Sequence, residues 1–193
     1  SLALEARAMA DDILIGDTPK ARKRRGRLKG VQAAGRLWKH ATLADVIGLI
    51  TPEEAASFFT FTLVRNPWDR MVSYYHWLHG QGFDHPAVHL AKAVDFSGFL
   101  NAPQTRATFT QAPYGSYLRL PDGREHCSVY LRLEHLEKDA AALEAHLGFA
   151  VTPLAVANPS ERARDWRGYY SDADAALLGQ ICAEDVARFN YSF

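Results

Sequence analysis

The pattern of apolar and polar positions along the chain predicts strands that alternate with helices. Apolar runs rich in β-branched or aromatic residues are typical of buried strands, and we predict strands at DDILIGD (11–17), FFTFTLV (58–64) and CSVYLRLEHL (127–136). Elsewhere apolar residues recur every three or four positions, which indicates amphipathic helices. Strands that alternate with helices favour an α/β fold with a largely parallel sheet.

Capping residues mark where several helices begin and end. Thr51 and Glu54 have the spacing of a capping box, with a proline at the first helical position. Asn66 stands before a second proline and is typical of a helix start. Gly148 suits the end of a helix, and Ser171 suits the start of the last one.

Three further segments bear on the organisation of the chain. SLALEARAMADD (1–12) has helical periodicity from its first residues, so we expect the chain to begin inside an element, with more sequence upstream. LADVIGLI (43–50) predicts another short helix, and the basic, glycine-containing stretch 20–36 suits a mobile loop. We predict a single domain over residues 1–193.

Charge and cysteine content narrow the class of protein only slightly. Lys+Arg and Asp+Glu both total 22, so the net charge selects no partner. The two cysteines, Cys127 and Cys182, are too few for a disulfide framework, which favours a reduced, cytoplasmic protein. No apolar run approaches the roughly 20 residues that span a membrane.

One run of basic residues leaves three interpretations open. KARKRRGRLKG (20–30) holds seven basic residues and no acidic ones, whereas residues 31–193 carry 14 basic and 18 acidic residues. The run is suited to nucleic acid, to an anionic acceptor such as a sulfated or uronic glycan, or to a solvated loop, which is the favoured interpretation. Aromatic residues are missing from it, so nucleic acid is a disfavoured partner.

A histidine-rich segment raises the question of a metal. HWLHGQGFDHPAVH (76–89) has four histidines at spacings that zinc sites use, but no cysteine lies nearby. Ordinary helix and loop histidines are therefore the favoured interpretation, and we predict no metal. The chain also lacks the G-x-x-x-x-G-K-[ST] phosphate loop and the G-x-S-x-G nucleophile motif.

The most informative chemistry lies where the second predicted strand ends. Arg65 follows that strand, and the helix expected from Pro67 turns its N-terminus towards the same edge of the sheet, an arrangement that favours an anion. Helical spacing puts Ser73 on the face that also carries Asn66, so Arg65 and Ser73 could hold one phosphate. The alternative is that Arg65 merely pairs with Asp69 and that Ser73 is a surface serine.

Three stretches resemble one family of enzymes. VRNPWDRMVSYY (64–75) resembles the 3′-phosphate-binding motif of sulfotransferases that use 3′-phosphoadenosine 5′-phosphosulfate, in the branch of the Golgi carbohydrate sulfotransferases and their bacterial relatives. YLRLEHLEKD (130–139) resembles the strand–Arg-x-Glu-x-Leu element of that family, and residues 169–193 resemble its closing helix with a Phe-x-Tyr ending. The likeness covers most of the chain from about Trp38 onward.

The resemblance implies a fold, a co-substrate and roles for particular residues. It implies a P-loop-NTPase-like three-layer fold, transfer of a sulfonyl group to an acceptor hydroxyl, a carbohydrate acceptor and no metal. Arg65 and Ser73 would bind the 3′-phosphate. The stretch Asn158–Arg162 resembles a loop that closes near the nucleotide, and Arg162 or Arg164 would add a contact there, although a surface arginine is the favoured interpretation. His40 is the candidate base, with packing beside Trp38 as its alternative, and Glu134 is the second candidate.

One part of the family pattern is missing from this sequence. The family carries an upstream strand and a Lys-Thr-(small)-Gly-Thr-Ser loop that holds the 5′-phosphosulfate, and Gly16-Asp17-Thr18-Pro19-Lys20 lacks its glycine–threonine pair. We expect that loop to precede Ser1 in a longer protein. The competing interpretation is a non-catalytic nucleotide- or nucleic-acid-binding module that uses the basic run 20–30.

Overall fold

The structure is a computed structural model that describes residues 2–154 and 162–193. Its contacts divide the chain into two compact units. The first unit runs to Leu63 and adds Tyr114–Leu131 and His135–Leu154; the second comprises Val64–Pro113, Arg132–Glu134 and the described residues from Arg162 to Phe193. The described chain mixes helices with one two-stranded sheet, as the predicted α/β composition requires.

The first unit contains short helices and most of the sheet. Its helices are α1 (Leu2–Arg7), α2 (Pro19–Arg24), α3 (Pro52–Ser57), α8 (Leu136–Asp139) and α9 (Ala141–Leu147). Strands β1 (Phe61–Val64) and β2 (Val129–Arg132) are paired in parallel, and each ends where the chain passes into the second unit. The core of this unit includes Leu131, Ala140, Leu143 and Val151.

The second unit is helical and packs around its longest helix. Its helices are α4 (Pro67–His79), α5 (Pro86–Ala93), α6 (Phe96–Asn101), α7 (Pro103–Gln111), α10 (Asp172–Ile181) and α11 (Ala183–Phe189). The apolar face of α4 carries Met71, Val72 and Leu78, each at most 1% exposed. Phe99 from α6 and Leu178 from α10 complete the centre of this core.

Two hydrogen bonds fix the start of α4. The Trp68 indole Nε1 donates to the Ala175 carbonyl at 2.9 Å, and the Tyr170 hydroxyl donates to the Trp68 carbonyl at 2.8 Å. Burial raises the pKa of Tyr170, so its hydroxyl remains a donor across the physiological range. The first turn of α4 is therefore held by hydrogen bonds to Ala175 and Tyr170.

The capping predictions are confirmed. Thr51 Oγ1 accepts from Glu54 N while the Glu54 carboxylate accepts from Thr51 N, which is the reciprocal capping box. Asn66 caps α4, and Gly148 ends α9 with a φ of 72°. Ser171 caps α10 as expected, although the last helix is interrupted at Cys182 and resumes as α11.

The predicted strand at 11–17 is wrong. Among the described residues this stretch has no strand partner, and Ile13 is 46% exposed. Its backbone is held by side chains instead, because Arg24 Nη1 donates to the Asp12 carbonyl at 3.1 Å and Arg27 Nη1 donates to the same oxygen at 3.4 Å. Three consecutive apolar residues were too short a pattern to establish pairing.

The predicted helix at 43–50 is also wrong. These residues form turns and a parallel bridge between Ile47 and Ile50. The carbonyls of Asp45 and Ile47 accept hydrogen bonds from Gly35 N and Ala34 N, so tertiary pairing replaces the helical bonds. Gly48, at a φ of 98°, lies so close to the Gln32 carbonyl that a Cβ would be 2.1 Å from that oxygen.

Two other boundaries differ from the predictions. The stretch 20–36 is not a loop throughout: α2 is capped by Thr18, and a 3-10 helix follows at Arg25–Leu28. The strand predicted at 58–64 is limited to Phe61–Val64, and only Val64 is buried in it. No helix among the described residues combines the length and apolar character needed to cross a membrane.

Candidate functional site

The candidate site is built on the junction between β1 and α4. β1 ends at Val64, Arg65 follows, and α4 begins at Pro67. Asn66 Oδ1 accepts from Trp68 N at 3.0 Å, so one of the unpaired amides at this helix start is satisfied locally. Proline fits the first helical position because it has no N–H to leave unpaired. The strand–arginine–helix arrangement expected from the sequence is present.

Arg65 forms a three-residue charge cluster with Asp69 and Arg162. Arg65 Nε and Nη2 each lie 2.6 Å from Asp69 Oδ2, and Arg162 Nη2 lies 2.6 Å from Asp69 Oδ1. The side chains of Arg65, Asp69 and Arg162 are 26%, 16% and 11% exposed. One carboxylate therefore binds two guanidinium groups, so the formal charges of these three side chains sum to one excess positive charge. Such an excess in a partly desolvated position favours an anion.

The side chain of Arg162 is buried and does not lie on the surface. Its Nη1 atom is buried and has no hydrogen-bond partner among the described residues. A buried N–H donor left unpaired typically costs about 1–3 kcal/mol, so an acceptor oxygen beside it would be strongly favoured. Residues Asn158–Glu161 of the predicted nucleotide-closing stretch lie outside the described residues.

A polar stripe of α4 continues from this cluster. Asp69, Ser73 and His76 follow the spacing i, i+4, i+7, which places them on one face of the helix. Ser73 is partly buried. His76 has a buried Nε2 that lacks a hydrogen-bond partner within residues 2–154 and 162–193. Burial, Arg162 and then His79 lower the pKa of His76, so the ring is neutral at pH 7.

Glu134 supports the junction from the end of β2. Its Oε1 accepts from Asn66 N at 2.6 Å, and its Oε2 accepts from the Tyr191 hydroxyl at 3.0 Å. Asn66 Nδ2 in turn donates to the Ser192 carbonyl at 3.2 Å, so a residue near the last position of the sequence also contacts the β1–α4 junction. Both carboxylate oxygens of Glu134 hold protein groups in position, which is a positioning role.

Replacing Glu134 with alanine should lower the free energy of unfolding by about 1–3 kcal/mol, because the Asn66 amide loses its acceptor. Urea denaturation monitored by circular dichroism measures the loss. Tyr191→Phe is the matched control: it removes only the second hydrogen bond and should cost about 0.5–1.5 kcal/mol. Equal losses in the two variants would contradict the assignment of the Asn66 amide as the main contact.

His40 belongs to the first unit, whereas the other candidate residues belong to the second. It is exposed overall, and its ring lies edge-on to Trp38 with centroids 4.7 Å apart. Partial burial and the positive charge of Lys39 lower its pKa below the usual 6.5, and Asp17 opposes this shift. The ring is therefore mostly neutral at pH 7, the form that can accept a proton.

Much of the basic run 20–30 is used within the first unit. Lys20 Nζ donates to the carbonyls of Glu5 and Ala8, and Arg24 donates to the carbonyl of Asp12. Arg25 pairs with Asp17 at 3.2 Å. These contacts hold residues 20–25 against α1 and the segment that follows it. They also reduce the number of cations available to a nucleic acid.

The histidines of segment 76–89 have separate surroundings. His79 Nε2 lies 3.1 Å from the Tyr75 hydroxyl, His85 Nδ1 accepts from Ala87 N at the start of α5, and His89 lies 3.2 Å from Asp84. Within the described ranges, no group of three or more His, Cys, Asp or Glu side chains is arranged to hold a metal ion.

Sequence reasoning located Arg65 but missed part of its surroundings. It considered Asp69 only as a local partner at i+4, whereas Asp69 also binds Arg162, 93 residues away. No pattern in a single sequence indicates such a distant pairing. The sequence analysis weighs His76 only as a metal ligand or an ordinary helix histidine, although its distance of seven positions from Asp69 places it on the polar stripe.

Comparisons of this chain with protein-family models, with curated proteins and with solved structures found no match. A functional assignment therefore depends on the residues and their geometry.

Proposed function

We propose that the chain belongs to a sulfotransferase that moves a sulfonyl group from 3′-phosphoadenosine 5′-phosphosulfate to an acceptor hydroxyl, on a carbohydrate. The observation that carries the proposal is the charge cluster at the β1–α4 junction, where Arg65 and Arg162 share the single carboxylate of Asp69. A dianionic 3′-phosphate complements the excess charge of this cluster. The motif VRNPWDRMVSYY, which resembles the 3′-phosphate-binding motif, surrounds the same residues.

Each candidate residue has a defined part in this proposal. Arg65 and Arg162 supply charge-assisted hydrogen bonds to the phosphate, and Ser73, two helical turns after Arg65, supplies a hydroxyl. Glu134 positions the junction through Asn66 N. His40 removes the proton from the acceptor hydroxyl. The oxygen of that hydroxyl forms a bond to sulfur while the bond between sulfur and the bridging oxygen of the donor breaks. The leaving group is adenosine 3′,5′-bisphosphate.

The proposed fold is the three-layer, P-loop-NTPase-like arrangement, with β1 and β2 as two neighbouring strands of its parallel sheet. Parallel pairing of these strands supports the proposal, as does the placement of Arg65 and Glu134 just beyond their carboxyl ends. The chemistry proposed requires no metal.

The ion pair between Arg65 and Asp69 also fits a second interpretation, in which it only stabilises the start of α4. The buried and unpartnered Nη1 of Arg162 favours the anion site over this alternative, because a purely structural pair would not require that donor to be buried without an acceptor among the described residues. The non-catalytic nucleic-acid module is less favoured, because Lys20, Arg24 and Arg25 are engaged within the first unit.

The nucleotide selectivity of the chain tests the proposal. Isothermal titration calorimetry should show that adenosine 3′,5′-bisphosphate binds more tightly than adenosine 5′-monophosphate, which lacks the 3′-phosphate. Ser73→Ala should lower the affinity for the bisphosphate about two- to tenfold, which is the usual net worth of one hydrogen bond. Ser97→Ala, on α6, is a matched control that should leave this affinity unchanged. Equal affinities of the wild-type chain for both nucleotides would contradict the proposal.

A further inference from the structure

A cavity of about 960 Å³ lies within the first unit, and all the residues that line it fall between Leu14 and Lys39. Binding sites for small organic ligands commonly have volumes of roughly 300–1,000 Å³. None of the lining residues belongs to the cluster of Arg65, Asp69 and Arg162. The cavity is therefore separate from the proposed phosphate site.

One part of the cavity lining is apolar and includes an aromatic ring. Its larger apolar members are Leu14, Ile15, Leu28, Val31, Leu37 and Trp38. Trp38 is 39% exposed, so part of its indole is accessible to a ligand. Arg36 lies over the same indole, with its guanidinium carbon 4.8 Å from the ring centroid. A flat ring that enters the cavity would meet both the indole and aliphatic side chains.

The charged part of the lining is almost entirely cationic. It consists of Arg25, Lys29, Arg36 and Lys39, against the single carboxylate of Asp17. Arg25 and Asp17 pair with each other at 3.2 Å, so three cations remain uncompensated within the lining. Lys20 and Arg24, in contrast, donate to backbone carbonyls of the same unit. The cavity therefore carries positive charge that the described contacts within its lining do not offset.

We propose that this cavity binds an organic anion composed of a flat ring and a sulfonate, sulfate or carboxylate group. The ring would pack against Trp38 and the aliphatic side chains, and the anionic group would lie among Lys29, Arg36 and Lys39. The inference uses residues between positions 14 and 39 only, and none of them is a nucleotide-binding or catalytic residue of the proposed sulfotransferase, although Trp38 packs against His40.

Three related probes separate the two components of recognition. Calorimetric titration should show that naphthalene-2-sulfonate binds with a stoichiometry of one. The uncharged naphthalene-2-methanol and inorganic sulfate should each bind at least tenfold more weakly, because each lacks one component. Equal binding of the uncharged probe would show a simple apolar cavity and would overturn the proposal. Failure of naphthalene-2-sulfonate to bind would do the same.

A pair of double variants tests where the charge acts. Lys29→Gln with Lys39→Gln removes two cations that line the cavity and should weaken naphthalene-2-sulfonate binding at least tenfold. Arg22→Gln with Lys23→Gln removes two exposed cations that do not line it and should change the affinity less than twofold. Both variants lower the net charge by two, so equal weakening would indicate a diffuse charge effect and would contradict the proposal.

Nuclear magnetic resonance of the wild-type chain gives a readout that does not depend on the variants folding. Addition of naphthalene-2-sulfonate should shift the amide signals of residues 14–39 and the indole N–H signal of Trp38. Shifts confined to other residues would overturn the proposal. Adenosine 3′,5′-bisphosphate, in contrast, should shift signals around Arg65, so the two proposals succeed or fail separately.

Discussion

Replacement of Arg65 with alanine should lower the affinity for adenosine 3′,5′-bisphosphate about ten- to a hundredfold, which corresponds to about one charge-assisted hydrogen bond. The affinity for adenosine 5′-monophosphate should stay within about twofold of the wild-type value, because that nucleotide has no 3′-phosphate for Arg65 to bind. Isothermal titration calorimetry with both nucleotides measures the effect. The ratio of the two affinities is informative because a general loss of stability would lower both together.

Asp69→Asn distinguishes an anion-binding role of Arg65 from an ion pair with Asp69 that only maintains local structure. It removes the ion pair between Arg65 and Asp69, as Arg65→Ala does, and it also removes the ion pair between Arg162 and Asp69. It also removes a negative charge beside the proposed phosphate position, so affinity for the bisphosphate should be unchanged or higher. Equal loss of bisphosphate affinity in the two variants would mean that the pair only maintains local structure, and the assignment of Arg65 would be wrong.

Arg65→Ala should be tolerated by the fold. Asp69 keeps Arg162 as a partner at 2.6 Å, so its carboxylate is not left as an isolated buried charge. Asn66, Trp68 and Glu134 continue to hold the start of α4 through contacts that do not involve Arg65. Thermal unfolding monitored by circular dichroism would verify that the variant is folded before titration.

Local signals in the sequence predicted the β1–α4 junction correctly. The position of Asn66 before Pro67 determines where α4 starts, because the asparagine side chain caps the helix and the proline has no amide to leave unpaired. The apolar spacing of Trp68, Met71 and Val72 determines which face of α4 is buried. All these relations act over a few residues, so the sequence displays them directly.

The wrong predictions come from segments whose structure is decided by distant contacts. DDILIGD has the composition of a strand, but side chains of Arg24 and Arg27 hold its backbone. LADVIGLI has helical periodicity, but its carbonyls accept hydrogen bonds from Ala34 N and Gly35 N. Propensity is a weak prior that such tertiary contacts override.

The same distinction applies to the candidate site. Arg65, Asp69 and Ser73 follow from the periodicity of one helix, whereas the pairing of Asp69 with Arg162 bridges 93 positions. That pairing changes the chemistry, because Arg65 with Asp69 alone is electrically neutral, whereas the cluster of three residues carries an excess positive charge. The feature that most favours an anion is thus the one that a single sequence does not display.

His40→Ala should reduce sulfonyl transfer about 100-fold or more, the usual contribution of a general base, while leaving bisphosphate affinity unchanged. The rate can be measured by transfer of labelled sulfonyl groups from 3′-phosphoadenosine 5′-phosphosulfate to a panel of carbohydrate acceptors. The separation of rate from nucleotide binding distinguishes a base from a residue that only supports the fold. His89→Ala is a matched control, because His89 is a histidine whose side chain is 66% exposed in the second unit.

The pH dependence of the rate gives a second test of His40. Burial and Lys39 lower its pKa below 6.5, and a base must be neutral to accept a proton. The rate of transfer by the wild-type chain should therefore be constant near pH 7 and fall as the pH decreases through a midpoint below 6.5. His40→Ala should abolish this acid limb, because the group that becomes protonated is gone. If His40→Ala kept the acid limb of the pH profile, or kept full activity at pH 7, His40 would not be the base. The transfer step would then have no base among the residues proposed.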